Sequence, residues 1–256
     1  MQMNEEKLFH LAIPTDFSAG YAILPGDPGR VDAIAAYLDS PRLVGSNREF
    51  RSVAGTLSGT TVIVTSTGIG GPSAAIALEE LAKIGVKKII RVGTCGGMQM
   101  KVTAGDVIIP TAAVRMEGTS KEYAPLEFPA AADYDMVSAL VQAARRLGVV
   151  YHTGIVQSKD SFYGQHQPQS MPVAEQLMQK WDAWKKLGVL ASEMETAALF
   201  TVAHTRGIQA GCILHALWNQ ERKAAGLTDP DNFDMDITIK TAIEALRRMI
   251  GENYAE

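Results

Sequence analysis

The chain has 256 residues, of which 46% are hydrophobic and 20% are charged, with 23 Gly and 11 Pro. This ordinary globular composition excludes a disordered or collagen-like chain. The net charge of −4 argues against a protein whose main partner is nucleic acid, and no apolar run is long enough to predict a membrane span. The length suits one large α/β domain.

The start of the chain and its cysteines indicate a cytoplasmic protein. Glu5 and Glu6 stand where a secretory signal peptide would carry basic residues, and the apolar run that follows them is short. The two cysteines, Cys95 and Cys212, are too few for a disulfide framework or a zinc site. We therefore interpret both as small apolar residues of the core.

Short β-branched runs alternate with longer amphipathic stretches along the chain. Buried strands are predicted at residues 21–24, 61–66, 88–92, 106–109, 153–157 and 210–214. Helices with a buried stripe and a C-terminal Gly are predicted around residues 74–82, 137–144 and 239–250. This alternation predicts a mostly parallel sheet with helices on both faces, in which ligands bind at the carboxyl ends of the strands.

Glycine-rich segments follow the first two of these strands. Residues 25–30 (PGDPGR) end in Arg30, whose charge opposes the dipole of the helix beginning there unless an anion compensates it. A solvated Arg in a tight turn is the alternative. Residues 67–73 (TGIGGPS) lack the third Gly of a dinucleotide fingerprint, and the chain has no Gly-Lys pair for a Walker loop. Close packing at a helix start explains this segment as well as ligand contact does.

A third segment, residues 91–97 (RVGTCGG), places a charge inside a strand. Arg91 follows two isoleucines, and a buried guanidinium requires a carboxylate or a bound anion. Thr94 stands three residues later, and a hydroxyl beside a guanidinium suits a phosphate. Because no metal-ligand cluster accompanies these segments, they predict an oxyanion pocket, with simple pairing of Arg91 to a carboxylate as the alternative.

Two carboxylates and an aromatic loop complete the candidate chemistry. Glu193 and Glu195 follow the apolar run 188–191; they either cap the next helix or accept hydrogen bonds from vicinal ribose hydroxyls. The loop 160–167 (DSFYGQHQ) sets Phe162 and Tyr163 beside amides, a combination that can stack on a nucleobase and hydrogen-bond to it. Histidines without relay or ligand spacing are interpreted as structural: His152, His166, His204 and His215.

From end to end, the ordered motifs of the chain resemble the nucleoside phosphorylase family. They are LFHLAI near the start, then PGDPGR, NREF, TSTGIGGPS, RVGT, RMEGTS, EYAPLEFPA, DSFYGQ and SEMET. The chain is most similar to the branch of that family that acts on uridine. The resemblance implies one domain over residues 1–256, a three-layer α/β/α sandwich with a mixed, distorted central sheet, and a hexamer built as a trimer of dimers.

The resemblance also implies a reaction and a set of site residues. The reaction is reversible phosphorolysis, in which orthophosphate, the co-substrate, attacks the anomeric carbon of a nucleoside without any organic cofactor. The phosphate site matches Gly26, Arg30, Arg91 and Thr94, with Arg48 from a neighbouring subunit. The ribose site matches Glu193, Met194 and Glu195, with His10 from that neighbour. Phe162 and Gln165 match the base site. Glu49, Ile69 and Ser73 match a monovalent-cation site, for K⁺, at the dimer interface.

The base site departs from the family pattern. Relatives that act on uridine read uracil with a Gln and two Arg residues, and Gln167 and Gln220 stand in place of those arginines. Residues 216–219 lack the Asp that purine-specific relatives use, and Trp218 would narrow the pocket if it faces inward.

Three alternatives to uridine phosphorolysis therefore remain at this stage. They are a phosphorylase for another nucleoside, a hydrolytic nucleosidase and a non-enzymatic nucleoside-binding protein. Hydrolysis is disfavoured by Arg30, Arg48 and Arg91, because water needs no phosphate-binding arginines.

Overall fold

The computed structural model describes residues 6–227 and 231–252, with only the backbone of Glu252. The strands are β1 Tyr21–Pro25, β2 Asp39–Asn47, β3 Phe50–Leu57, β4 Thr60–Thr65, β5 Lys88–Gly97, β6 Val107–Met116, β7 Ala130–Ala131, β8 Tyr151–Lys159, β9 Ala191–Glu193 and β10 Gln209–Asn219. The helices are α1 Val31–Ala35, α2 Gly71–Lys83, α3 Thr119–Tyr123, α4 Tyr134–Arg146, α5 Phe162–His166, α6 Ala174–Lys186, α7 Thr196–Arg206, α8 Gln220–Ala224 and α9 Asp236–Glu252. Within these residues, no helix has the length and apolar character needed to cross a membrane.

The ten strands form one mixed sheet. Parallel pairs join β1 to β4 and β5, β10 to β5, β6 to β8, and β8 to β9. Antiparallel pairs join β2 to β3, β3 to β4, β10 to β6, β5 to β9, and β6 to β7. The expectation of a mostly parallel sheet is therefore wrong, whereas the mixed sheet implied by the family resemblance is confirmed.

The antiparallel share comes largely from a meander that the apolar pattern does not reveal. Strands β2, β3 and β4 are joined by tight turns at residues 48–49 and 58–59. Strand β2 is mostly exposed and contains a Pro and a Gly, so its sequence reads as a loop. Only its pairing with β3 makes it a strand. At the other end, five strands form a closed ring, because β5 pairs with both β9 and β10. The order around this ring is β5, β10, β6, β8 and β9.

Helices cover both faces of the sheet, as the alternation predicted. On one face, α2 and α7 pack together and bury Leu78, Leu81 and Phe200. On the other, α4 packs against α9 and buries Leu140 and Leu246. The result is an α/β/α arrangement with two apolar layers, one on each side of the strands.

The three predicted helices are present, with one difference at an end. Gly85 and Gly148 follow α2 and α4 with positive φ angles of 92° and 67°, as expected of glycines that end helices. Gly251, in contrast, does not end α9, which continues to Glu252.

The six predicted strands are also present, but several run further than their apolar cores. In particular, β5 continues through Gly97, so the segment that follows Val92 is strand rather than loop. Its glycines allow close approach of β10 and of the Arg91 side chain. A Cβ at Gly93 would lie 2.8 Å from Leu214 Cδ2 and 3.1 Å from the guanidinium of Arg91, and one at Gly97 would lie 2.8 Å from Asn219 Nδ2. The carboxyl ends of β1, β5 and β10 thus lie at one edge of the sheet. Strand β9 pairs antiparallel with the end of β5 and parallel with the end of β8, so it brings the last residues of β8 close to that edge.

Candidate active site

A cavity of about 560 Å³ opens at this edge of the sheet. Residues from all four predicted sites line it: Gly26, Arg30, Glu49, Ile69, Arg91, Thr94, Phe162, Glu193, Met194 and Glu195. They come from segments far apart in the chain, and the sheet brings them together because the loops after its strands converge here. One end of the cavity carries the arginines and the other carries aromatic rings.

Arg91 is the buried charge around which the cavity is arranged. Its side chain is 4% exposed, and Nη2 donates a short hydrogen bond to Glu195 Oε2. Nε lies 3.8 Å from Glu193 Oε2. Among the described residues, Nε and Nη1 have no hydrogen-bond acceptor. Both sequence interpretations therefore apply in part: Arg91 is paired with carboxylates, and it retains buried donors that an anion would satisfy.

The two carboxylates beside Arg91 have different surroundings. Glu193 accepts hydrogen bonds from the backbone N–H groups of Glu195 and Thr196, at 2.8 and 2.9 Å, and so caps the start of α7. Glu195 accepts one from Gly70 N at 2.6 Å, which ties it to the glycine-rich loop before α2. Burial raises the pKa of Glu195, and the Arg91 guanidinium opposes that rise. Glu193 therefore mainly holds the backbone, whereas Glu195 links the loop to Arg91.

Arg30 brings a second guanidinium to the same end of the cavity. It ends the short 3₁₀ turn Pro28–Arg30, which Asp27 caps by accepting a hydrogen bond from Gly29 N at 2.8 Å. Its Nε is 3.9 Å from Asp27 Oδ2. Burial lowers the pKa of Arg30, and the positive charge of Arg91 lowers it further. An anion between the two guanidinium groups would relieve their repulsion.

The other end of the cavity is aromatic. Phe162 and His166 stand one turn apart on α5, with ring centroids 4.3 Å apart, and His166 meets Trp218 edge-on at 5.8 Å. Trp218 lines the cavity and so does narrow it. Burial lowers the pKa of His166, which favours the neutral imidazole. His166 therefore lies at the candidate site rather than in a purely structural position, and its i, i+4 spacing from Phe162 was the sequence signal.

Lys159 is a cavity residue that the sequence analysis did not single out. It ends β8, its residue exposure is 7%, and Nζ donates a hydrogen bond to Ser192 Oγ at 2.7 Å. The hydroxyl of Ser192 in turn donates to Gln165 Oε1 at 2.6 Å. Burial lowers the pKa of Lys159 to about 8. The available signal was similar to the one that identified Arg91, because Lys159 is a cation in a strand that has an apolar centre.

The amides expected to read the base lie around the cavity rather than inside it. Gln165 contacts Ser192, and together with Lys159 and Gln220 it lines an adjoining cavity of about 620 Å³. Gln220 also hydrogen-bonds the imidazole of His166. Gln167 is exposed and lines neither cavity, because it follows the end of α5 and the chain turns outward there. The structure therefore does not bring Gln167 to the other base-site residues.

The two residues expected to act from a neighbouring subunit lie outside the cavity of their own chain. Arg48 is exposed in the turn between β2 and β3, with a left-handed φ of 53°. His10 Nδ1 lies 2.8 Å from Glu80 Oε1, and the Glu80 carboxylate also accepts a hydrogen bond from Leu11 N. These contacts fix His10 at the surface, beside the exposed Phe9 ring. The role of both residues stays a prediction.

The residues expected to form a cation site are close together. Ser73 Oγ donates a hydrogen bond to Glu49 Oε1 at 2.8 Å, and Ile69 is exposed beside the cavity. A backbone N–H and the Ser73 hydroxyl lower the pKa of Glu49, so its carboxylate is negative at neutral pH. In the part of the chain that the structure describes, no three His, Cys, Asp or Glu side chains are grouped to hold a metal ion.

Comparison with known proteins places this arrangement in a family. Residues 21–250 match the family described as the phosphorylase superfamily. The chain is 48% identical over 245 residues to a uridine phosphorylase of Treponema pallidum, and the matched region covers 96% of this chain and 95% of that protein. It is 39% identical over 253 residues to the uridine phosphorylase of Escherichia coli, covering 97% and 100%. It is also 42% identical over 204 residues to a guanosine phosphorylase of Halorubrum lacusprofundi, covering 80% of each.

We predict that inorganic phosphate binds between Arg30 and Arg91. Arg30→Met tests this better than a change at Arg91, because Arg30 has no buried carboxylate that its loss would leave unpaired. Losing a charge-assisted hydrogen bond costs about 1.5–3 kcal/mol, so phosphate affinity should fall by about 10- to 150-fold in isothermal titration calorimetry. Arg247→Met, an exposed site on α9, is the matched control. Equal phosphate affinity in Arg30→Met and wild type would contradict the anion site.

Proposed function

The chain belongs to the phosphorylase superfamily, and we propose that it is a uridine phosphorylase, which converts uridine and orthophosphate reversibly to uracil and ribose 1-phosphate. The observation that carries this proposal is Arg91, a buried guanidinium with two nitrogens, Nε and Nη1, that have no hydrogen-bond acceptor among the described residues. A nucleosidase that uses water has no need of such an anion site. The aromatic end of the same cavity accounts for the other substrate, a nucleoside.

Catalysis in this proposal is mainly positioning and electrostatics. Arg30 and Arg91 hold orthophosphate, with the Thr94 hydroxyl and the backbone at Gly26 completing the site. The base lies among Phe162 and the rings beside it. A phosphate oxygen then attacks the anomeric carbon while the glycosidic bond breaks, through an oxocarbenium-like transition state. The protein supplies no nucleophile, so its first task is to hold the two substrates in line.

Glu195 couples the phosphate and ribose parts of this site. Its carboxylate contacts Arg91 and Gly70 N, and Met194 lies beside it in the cavity. We assign it the ribose hydroxyls, because a carboxylate accepts hydrogen bonds from a vicinal diol. Since the same carboxylate holds the phosphate-binding arginine, ribose binding and phosphate orientation depend on one group.

Assembly is part of the proposal. Arg48 and His10 lie on the surface of their own chain, together with the exposed apolar side chains of Phe9 and Ile69. A neighbouring subunit that packs there would bring its Arg48 to the phosphate and its His10 to the ribose. We propose a hexamer made of three such dimers, with K⁺ at Glu49, Ile69 and Ser73 where they meet. Cytoplasmic location and a role in pyrimidine salvage stay predictions.

Guanosine is the second candidate substrate, because a guanosine phosphorylase is among the similar proteins. Against it, Leu217 and Trp218 line the cavity where purine-specific relatives are expected to place a Ser-Asp pair. Apolar side chains there offer no acid for a purine N7 and leave less room for a bicyclic base. The cavity therefore favours a pyrimidine.

A nucleoside panel tests the proposed function. Uridine, thymidine, guanosine, inosine and adenosine are each incubated with and without orthophosphate, and base release is followed by absorbance. We expect phosphate-dependent cleavage of uridine to exceed that of every purine nucleoside. Faster cleavage of guanosine would leave the family assignment unchanged but make guanosine the preferred substrate. Cleavage at the same rate without phosphate would indicate a hydrolase.

We further predict that two inactive variants restore activity when mixed. Arg48→Ala and Glu195→Gln lie on opposite sides of the proposed subunit boundary, so a mixed oligomer rebuilds intact sites. Random mixing leaves about a quarter of the sites intact, and activity should approach that fraction of wild type. As a control, Arg30→Met mixed with Glu195→Gln should stay inactive, because both residues belong to the same chain's part of the site. No recovery with Arg48→Ala in verified mixed oligomers would exclude a shared site.

A further inference from the structure

Lys159 is a buried cation that the mechanism above leaves without a task. It lines the active-site cavity and the adjoining one, so its ammonium group lies in the wall between them. A buried ammonium is costly unless it is paired or hydrogen-bonded. In the described chain, Nζ has one hydrogen bond, to Ser192 Oγ, and no carboxylate oxygen within ion-pair distance. Two of its three N–H groups are therefore free to serve a ligand.

The charges around Lys159 come from several packed elements. The carboxylates of Glu193 on β9 and Glu195 before α7 favour its charged form, and the Cys95 side chain on β5 also faces it. On α5, His166 lines the same two cavities as Lys159, so the ammonium group lies near the aromatic end. Burial and the positive charge of Lys159 both lower the pKa of His166. Lys159 thus lies between the ribose-binding carboxylates and the rings that receive the base.

The base end of the cavity otherwise lacks a cation. Gln167 and Gln220 stand where uracil-reading arginines were expected, and Gln167 is exposed outside the cavity. Arg30 and Arg91 belong to the phosphate end. The remaining cation that lines the cavity is Lys159, within the residues that the structure describes.

We propose that Lys159 is a catalytic residue that donates hydrogen bonds from its ammonium group to a carbonyl oxygen of the departing base. This inference rests on the proposed uridine phosphorylase activity. Negative charge grows on the base as the glycosidic bond breaks, and a cation fixed beside it stabilises that charge more in the transition state than in the bound nucleoside. Ser192 and Gln165 orient the ammonium through the hydrogen bonds described above.

The step balances without a proton from Lys159. An oxygen of hydrogen phosphate forms the bond to the anomeric carbon, and the electron pair of the glycosidic bond moves onto the base. The products are ribose 1-phosphate, which still carries the phosphate proton, and the uracil anion. That proton then passes through solvent to the base, and the ammonium is unchanged.

Lys159→Met and Lys159→Arg test the proposal in the full-length protein. Loss of one preorganised donor typically costs about 10²–10³ in rate, so Lys159→Met should lower kcat by that factor with little change in the KM for phosphate. Lys159→Arg keeps the positive charge, so its kcat should be at least tenfold higher than that of Lys159→Met. Lys87→Met, exposed before the opposite end of β5, is the matched control and should retain wild-type kcat.

The leaving group distinguishes a catalytic from a merely structural role. With 5-fluorouridine, the fluorine itself stabilises the base anion, so the deficit of Lys159→Met should shrink at least tenfold relative to uridine. Equal deficits on both substrates, or a kcat within threefold of wild type, would overturn the role of Lys159. Wild-type protein that does not cleave uridine with phosphate would instead overturn the proposed function, and the inference with it.

A pH profile keeps the test decisive if Lys159→Met does not fold. Because burial brings the pKa of Lys159 to about 8, the ammonium loses its proton above that pH and wild-type kcat should fall there. A guanidinium stays protonated, so Lys159→Arg should move this decline upward by at least one pH unit. Ionisation of uridine itself is common to both enzymes and cannot produce that difference. An unchanged profile in Lys159→Arg would overturn the proposal.

Discussion

The rest of the site depends on one buried guanidinium and on how few acceptors the protein gives it. Arg91 lies inside β5, contacts Glu195, stands near Glu193, and retains two donor nitrogens without an acceptor among the described residues. Burying such a charge is tolerated only when it is paired, and complete pairing by the protein would leave nothing for a substrate. The partial pairing lets the cation be stable in the free protein and still bind an anion.

Backbone geometry makes this arrangement sterically possible. The glycines of β5 leave room for the Arg91 side chain and for β10, and Glu193 caps α7 so that Glu195 stands at the helix start, facing the guanidinium. The strand order then brings the ends of β1, β5 and β10 to one edge, and β9 joins the end of β8 to them, so that cations, carboxylates and rings meet there. The same framework that buries the two apolar layers therefore also fixes the distance between the phosphate and base ends.

Sequence reasoning found the parts of this site whose residue types conflict with their surroundings. Arg91 stood out in an apolar strand, and the strands with buried β-branched runs were all recognisable. Strands β2, β3, β7 and β9 were not predicted. Of these, β2 is largely exposed and takes its form from pairing with β3. Lys159 was not singled out although it ends a strand whose last four residues are buried, and the outward position of Gln167 depends on where α5 ends. Arg48 and His10 require a second subunit, which the fold of one chain does not contain.

The central claim is that bound orthophosphate itself attacks the anomeric carbon, and oxygen labelling tests it most directly. The protein is incubated with uridine and orthophosphate carrying ¹⁸O at all four oxygens, and the sugar product is analysed by mass spectrometry. The account predicts ribose 1-phosphate that retains all four labelled oxygens, one of them bonded to the anomeric carbon. Free ribose carrying an oxygen from water, or ribose 1-phosphate with only three labelled oxygens, would contradict it.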